Sequence, residues 1–136
     1  MIDQAKSDKL VAKGIEAYKN AYARYSGYSV GAALLSKSGK IFTGVNVENA
    51  VYPLTICAER TAVFKAVSEG ELDFEAIAVI TKDGGTPCGS CRQVLAEFGT
   101  DIAVIIADIT GKVYEVINVA ELLPKSFGSE NLKTSG

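Results

Sequence analysis

The chain has no histidine, and only three cysteines stand among its 136 residues. Without imidazole, side-chain ligands for zinc come down to thiolates and carboxylates, and the side chain most often used to shuttle protons is missing. An odd number of thiols fits a disulfide framework poorly, so reduced cysteines in a cytoplasmic protein are expected. No apolar run approaches the ~18–20 residues of a membrane span. Met1-Ile2-Asp3-Gln4 offers neither the basic head nor the apolar core of a secretion signal, and none is expected. Basic excess is missing too. A net charge of -2 argues against recognition of a nucleic-acid backbone, which needs clustered cations. What is present is ordinary for a soluble globular protein, with 22% charged and 48% hydrophobic residues. The length suits one domain over residues 1–136.

Periodicity supplies the order of elements. Leu10, Val11, Ile15, Tyr18 and Tyr22 recur at helical spacing and predict an amphipathic helix over residues 7–22. Tyr28 to Leu35 and Ile41 to Val47 are β-prone runs joined through Ser38-Gly39, a hairpin connection that makes them antiparallel. A helix is expected from Cys57 through Ala62, Val63, Ala66 and Val67, stopping at Gly70. Ala76 to Thr81 reads as a buried strand, and Asp83-Gly84-Gly85-Thr86 as a loop. Pro87 opens a further helix ending before Gly99. Ile102 to Ala107 and Lys112 to Val116 make a second antiparallel hairpin, Val119 to Leu123 a short helix, and the polar tail beyond Ser129 is expected to fray. Strand–helix–strand units imply parallel neighbours, so the class is α/β, with a mixed sheet layered by helices.

The chemistry falls at two predicted helix starts. Cys88 and Cys91 are three apart on a helix, so their thiols share a face and can hold one ion. Cys57 and Glu59 are two apart, which separates them on a regular helix; they can share a site only if Cys57 precedes the helical geometry. Helix N-termini favour thiolate over thiol at both places. Three thiolates around Zn²⁺ give a formal charge of -1, which weakens the ion as a Lewis acid. Arg60 or Arg92, each beside a ligand in sequence, could offset it through hydrogen bonds to sulfur. A closed structural zinc site is nearly always completed by a fourth Cys or His and here would need a carboxylate, which is uncommon, and Cys88-Gly89-Ser90-Cys91 alone could be a redox pair. Adding Cys57-Ala58-Glu59 favours a catalytic zinc with its fourth position open to water, and Glu59 as the proton shuttle.

The pattern Cys57-Ala58-Glu59 followed by Pro87-Cys88-Gly89-Ser90-Cys91 resembles the zinc-deaminase signature in its three-cysteine form. Along nearly its full length the chain resembles the small homotetrameric cytidine deaminases. The resemblance runs through Tyr25-Ser26, Val30-Gly31-Ala32-Ala33-Leu34, Gly44-Val45-Asn46-Val47-Glu48-Asn49-Ala50, Cys57 to Ala62, Pro87 to Gln93 and Glu121-Leu122-Leu123-Pro124. It implies a three-layer αβα sandwich with a mixed five-stranded sheet and one Zn²⁺ per subunit on Cys57, Cys88 and Cys91. It implies Glu59 as the catalytic shuttle, Asn46 and Glu48 as a ribose-binding pair, and the backbone at Ala58 against the pyrimidine edge. It further implies a homotetramer with active sites at subunit interfaces, where Phe127 reaches a neighbouring subunit's pocket. The implied reaction is hydrolytic deamination of cytidine and 2'-deoxycytidine, in pyrimidine salvage. Two other readings stay open: a deaminase of a cytosine-containing antibiotic such as blasticidin S, and a non-catalytic, zinc-stabilised nucleoside-binding module. The chain departs from the family pattern at Tyr28, a nucleoside-contacting position that usually carries phenylalanine, at Arg24, and across Pro53-Leu54-Thr55-Ile56.

Overall fold

Asp3 starts the first element. Its carboxylate accepts the Lys6 N–H at 2.8 Å in an N-cap, and helix α1 runs over Gln4–Tyr18 in the computed structural model, which describes residues 2–132. Ser7, Leu10, Val11, Gly14 and Ala17 form its buried stripe. Strands β1 (Gly31–Ser36) and β2 (Ile41–Val45) follow as an antiparallel hairpin. Helix α2 (Ala58–Ser68) leads to β3 (Phe74–Thr81), and helix α3 (Gly89–Phe98) to β4 (Ala103–Asp108). Strand β5 (Val113–Asn118) and the short α4 (Val119–Leu122) close the order.

The sheet runs β2-β1-β3-β4-β5. Strand β1 is antiparallel to both its neighbours, β3 and β4 are parallel across the α3 crossover, and β5 returns antiparallel. Side chains alternate across it. Ala33, Leu35, Ala76, Ala78, Ile80 and Ile105 face Leu10 and Val11 of α1. The intervening Ala32, Leu34, Ile77, Val79, Val104 and Ile106 face Ala62, Val63, Ala66 and Leu95 of α2 and α3. The mixed five-stranded sheet between helix layers is thus present.

Element boundaries differ from the periodic reading for identifiable reasons. Helix α1 begins at its Asp3 cap and ends at Tyr18, because Tyr22 is drawn into a single parallel bridge with Val47: Tyr22 N–H donates to Asn46 O and Glu48 N–H to Tyr22 O, both at 2.9 Å. Tyr28 to Val30 precede β1 as a loop, where the Asn46 amide engages the Tyr28 carbonyl and the Val30 N–H. Val47 leaves β2 for an antiparallel bridge to Ile56. Pro53 sits in a 3-10 turn, Tyr52–Leu54, and a second such turn, Ser129–Leu132, forms where fraying was expected. Residues 133–136 of that tail lie outside the described residues.

These details position the two helix starts. A Cβ on Gly44 of β2 would collide with the Ala58 carbonyl and the Ala62 backbone, so only glycine lets the first turn of α2 sit directly on the sheet. The Val47–Ile56 bridge, with N–H···O distances of 3.0 and 3.1 Å, then folds residues 46–48 back alongside Cys57.

Candidate active site

Cys57 and Cys88 are the N-cap residues of α2 and α3, both with extended backbones (φ -77°, ψ 155° and φ -68°, ψ 167°). Cys57 therefore precedes the helical geometry, and its thiol and the Glu59 carboxylate both reach the wall of one cavity. Cys91, one turn into α3, completes a cluster whose three sulfurs lie within 4.8 Å of one another. The Sγ–Sγ distances are 3.8 Å for Cys57–Cys88 and 3.4 Å for Cys88–Cys91. Thiolates held tetrahedrally at about 2.3 Å from zinc stand about 3.8 Å apart, so the cluster fits that ion closely. No fourth Cys, His, Asp or Glu joins the group among the described residues, which leaves one coordination position for a small ligand from the cavity.

Charge around the sulfurs is arranged to match. Arg60, on the first turn of α2, donates from Nη2 to Cys57 Sγ at 3.4 Å. Its Nε is buried without a partner, so the guanidinium has donor capacity to spare beside the thiolates. The Cys91 thiol and the Arg60 guanidinium together bring the Cys57 thiol down to about 5. Cys91 is pushed the opposite way by its hydrogen bond with Cys57 and by burial. Arg92 does something else. Its Nε donates to Pro87 O at 2.8 Å, Nη1 to Leu122 O at 2.8 Å and Nη2 to Thr86 Oγ1 at 3.2 Å, with no sulfur among these partners. It ties the start of α3 to the preceding loop and to α4, and the expectation that it could neutralise sulfur is set aside in favour of Arg60.

Glu59 is 4% exposed. Burial, with a smaller push from the Cys57 thiolate, raises its carboxyl to about 7. A carboxyl that exchanges its proton near neutrality, on the same wall as the sulfurs, is suited to carry a proton between water and a bound molecule.

The cavity has a volume of about 340 Å³. Tyr28, Asn46, Glu48, Cys57, Glu59 and Cys88 all line it, although they come from four separate stretches of chain. Asn46 accepts the Val30 N–H at 3.0 Å and donates to Tyr28 O at 2.8 Å. Glu48 accepts the Tyr25 and Ser26 N–H groups, both at 2.9 Å, and the Ser26 hydroxyl. These bonds, the Ser26 hydroxyl first, hold the Glu48 carboxyl below the usual carboxylate range, so it is ionised at neutral pH. Both side chains thus brace the loop before β1. Asn46 keeps its second amide hydrogen, and Glu48 keeps lone pairs, for a ligand.

The remaining predicted residues divide. Tyr28 lies on the cavity wall, but its hydroxyl donates to Asp83 Oδ1 at 2.7 Å instead of facing the space. The Ala58 methyl is fully buried, leaving only its backbone for a ligand. Phe127 is 55% exposed and does not line the cavity of its own chain; its carbonyl accepts from Gln93 Nε2 at 2.8 Å. Ser26, Thr81 and Asp83 were missed as contributors. Ser26 stood in the Tyr25-Ser26 pair, and Asp83 was hidden in what reads as a turn-forming Asp-Gly-Gly.

Comparison with known proteins gives the geometry a family. Residues 4–107 match the family model described as the cytidine and deoxycytidylate deaminase zinc-binding region. A cytidine deaminase from Halalkalibacterium halodurans is 50% identical over 126 residues, covering 90% of this chain and 95% of that protein. The crystal structure of cytidine deaminase from Burkholderia pseudomallei superposes with a TM-score of 0.83 at 43% identity, covering 93% of this chain and all of the other. A blasticidin-S deaminase from Bacillus cereus is more distant, at 31% identity over 110 residues and 74% of this chain. With the three thiols grouped as a zinc site requires and the match extending over most of its length, the chain belongs to the cytidine and deoxycytidylate deaminase family.

Proposed function

We propose that this chain catalyses the hydrolytic deamination of cytidine and 2'-deoxycytidine to uridine and 2'-deoxyuridine, releasing ammonia in pyrimidine salvage. The observation that carries this reading is the sharing of one cavity by the thiol cluster, the buried Glu59 and the Asn46–Glu48 pair. Cys57, Cys88 and Cys91 would hold a zinc ion, which when bound would supply Lewis-acid activation of water. Every other part of the work falls to the chain. Glu59 would carry one proton from water to N3 and a second, from the hydroxyl added at C4, to the leaving amine, so that uridine keeps its N3–H and ammonia departs. Arg60 offsets the charge of the three thiolates through its bond to Cys57. The backbone of Ala58 at the start of α2 holds the pyrimidine edge, using N–H capacity that the first helical turn leaves free. Asn46 and Glu48 use their remaining donor and acceptor capacity on the ribose hydroxyls.

The cavity wall supports a nucleoside over a nucleotide. Glu48 and Glu59 line it, and no lysine or arginine among the described residues does, so a phosphate would enter without a cationic partner there. Assembly is the second part of the reading. Tyr25 and Tyr52 stack edge to face at 5.9 Å between ring centres, both exposed, with Val47, Val51 and Leu54 exposed on neighbouring residues. A homotetramer would cover this apolar surface and bring Phe127 of one subunit to the cavity of another. Three free cysteines and the absence of any membrane-spanning helix among the described residues support a cytoplasmic setting. The reaction is tested by offering cytidine and blasticidin S separately to the zinc-loaded protein. Cytidine should be turned over with one ammonia per uridine. Turnover of the antibiotic alone would assign the chain to the other activity, and turnover of neither would leave a binding module.

A further inference from the structure

The loop from β3 to α3 passes between two tyrosines. Gly84, at φ +74°, lies on the ring of Tyr114, where a Cβ would come within 2.7 Å of the ring carbons. Gly85 lies under the hydroxyl of Tyr28, where a Cβ would approach to 2.6 Å. Tyr114 is held from behind, its hydroxyl donating to Asp108 Oδ2 at 2.8 Å. Tyr28 is held by the loop itself, through Asp83 Oδ1. The same loop is pinned from within: Gly85 N–H donates to Thr81 Oγ1 at 2.7 Å, and Thr81 Oγ1 donates to Asp83 Oδ1 at 3.3 Å. Thr86, next along, is engaged by Arg92, and the loop then delivers Cys88 to the sulfur cluster.

We propose that Asp83 is a positioning residue which, through its hydrogen bond to the Tyr28 hydroxyl, locks the Tyr28 ring against the Gly85–Thr86 wall and so sets the fit of the nucleoside. The inference rests on the deaminase reading above. Tyr28 and Asp83 are 55 residues apart, and their bond ties the loop before β1, where Tyr28 lines the cavity, to the loop after β3, where Gly85 and Thr86 line it. A phenylalanine at residue 28 could not make this tie. The hydroxyl therefore does not add a polar group to the ligand's surroundings; it is consumed by a carboxylate outside them. The Lys82 ammonium, 5.6 Å from the Tyr28 ring centre, further limits how the ring can turn. Tyr28, with Thr81, holds the Asp83 carboxyl below the usual range, so the acceptor is charged at neutral pH and the bond is of the stronger, charge-assisted kind. Glu59 and the sulfurs make no bond to either partner, so the clamp acts on binding and not on proton transfer.

The test is a double-mutant cycle on cytidine turnover, with zinc content and melting temperature measured on each variant. Tyr28→Phe and Asp83→Ala should each raise KM by about threefold to tenfold, the coupling expected of one good pair, while kcat stays within about twofold. The double variant should be no worse than the poorer single. Asp83→Asn, which keeps a carbonyl acceptor, should recover most of the KM. Independent, multiplying effects would overturn the clamp, as would an unchanged KM in Asp83→Ala. A fall of kcat in step with zinc content would also overturn it, by marking Asp83 as merely structural. Uncoupled variants beside an active parent leave the proposed function standing, whereas an inactive parent overturns both.

Discussion

The Glu59 carboxyl is raised to about 7 because the first turn of α2 buries it, with a smaller push from the negative charge of the Cys57 thiolate. The replacement Glu59→Gln preserves size and burial but removes the exchangeable proton. It should retain zinc and the native melting temperature while lowering kcat by about 10²–10⁴-fold. Activity near that of the parent would place the shuttle elsewhere. At this scale the grouping of the three thiols with Glu59 was readable directly, because they lie within two short segments. The pairing of Tyr28 with Asp83 was not, since no local pattern connects residues 55 apart. The same holds for Arg60 and Arg92. Each adjoins a ligand in sequence, and only the fold separates the one that meets sulfur from the one that ties down a helix start.

Among the elements, the helices that carry the thiols and Glu59 are placed by what precedes them: Gly44 under α2, and the pinned loop before α3. The β4–β5 hairpin beside that loop is organised by Asp108, whose carboxylate accepts from Thr110 N–H and hydroxyl, Lys112 N–H and the Tyr114 hydroxyl. Those bonds, the Thr110 hydroxyl first, hold its carboxyl down to about 2. A lowered carboxyl contributes stability fully above its unfolded value of about 3.9 and loses it as pH falls through the folded value. Asp108→Asn should therefore melt below the parent at pH 7, and the gap should close as the pH approaches about 2. Melting curves of both proteins across that range check this; a gap independent of pH would contradict it. Strands and helices were legible as elements because their apolar periods are strong. Their ends were not, because side chains of distant residues, Asn46 on the loop before β1 for example, decide where pairing begins.

For the whole molecule, the mixed sheet followed from two short hairpin connections and one strand–helix–strand unit, all visible as turn and helix signals. The side of each helix layer and the strand order came only with packing, where alternating residues of β1, β3 and β4 sort into two cores. The exposed cluster of Tyr25, Val47, Val51, Tyr52 and Leu54 needs a partner surface, and the proposed homotetramer supplies one. Light scattering at micromolar concentration should give four times the 14.3 kDa chain mass. A monomer mass would refute the shared-site arrangement and return Phe127 to a purely local role.

The central claim is that one cavity joins a zinc site, a proton shuttle and a sugar-binding pair to deaminate a cytosine nucleoside. Its most direct measurement follows the ultraviolet absorbance of cytidine, and separately of 2'-deoxycytidine, mixed with protein of known zinc content. A steady loss of cytidine absorbance, with uridine and ammonia formed in equal amounts, is the predicted result. Full zinc occupancy with no turnover of either nucleoside would contradict it.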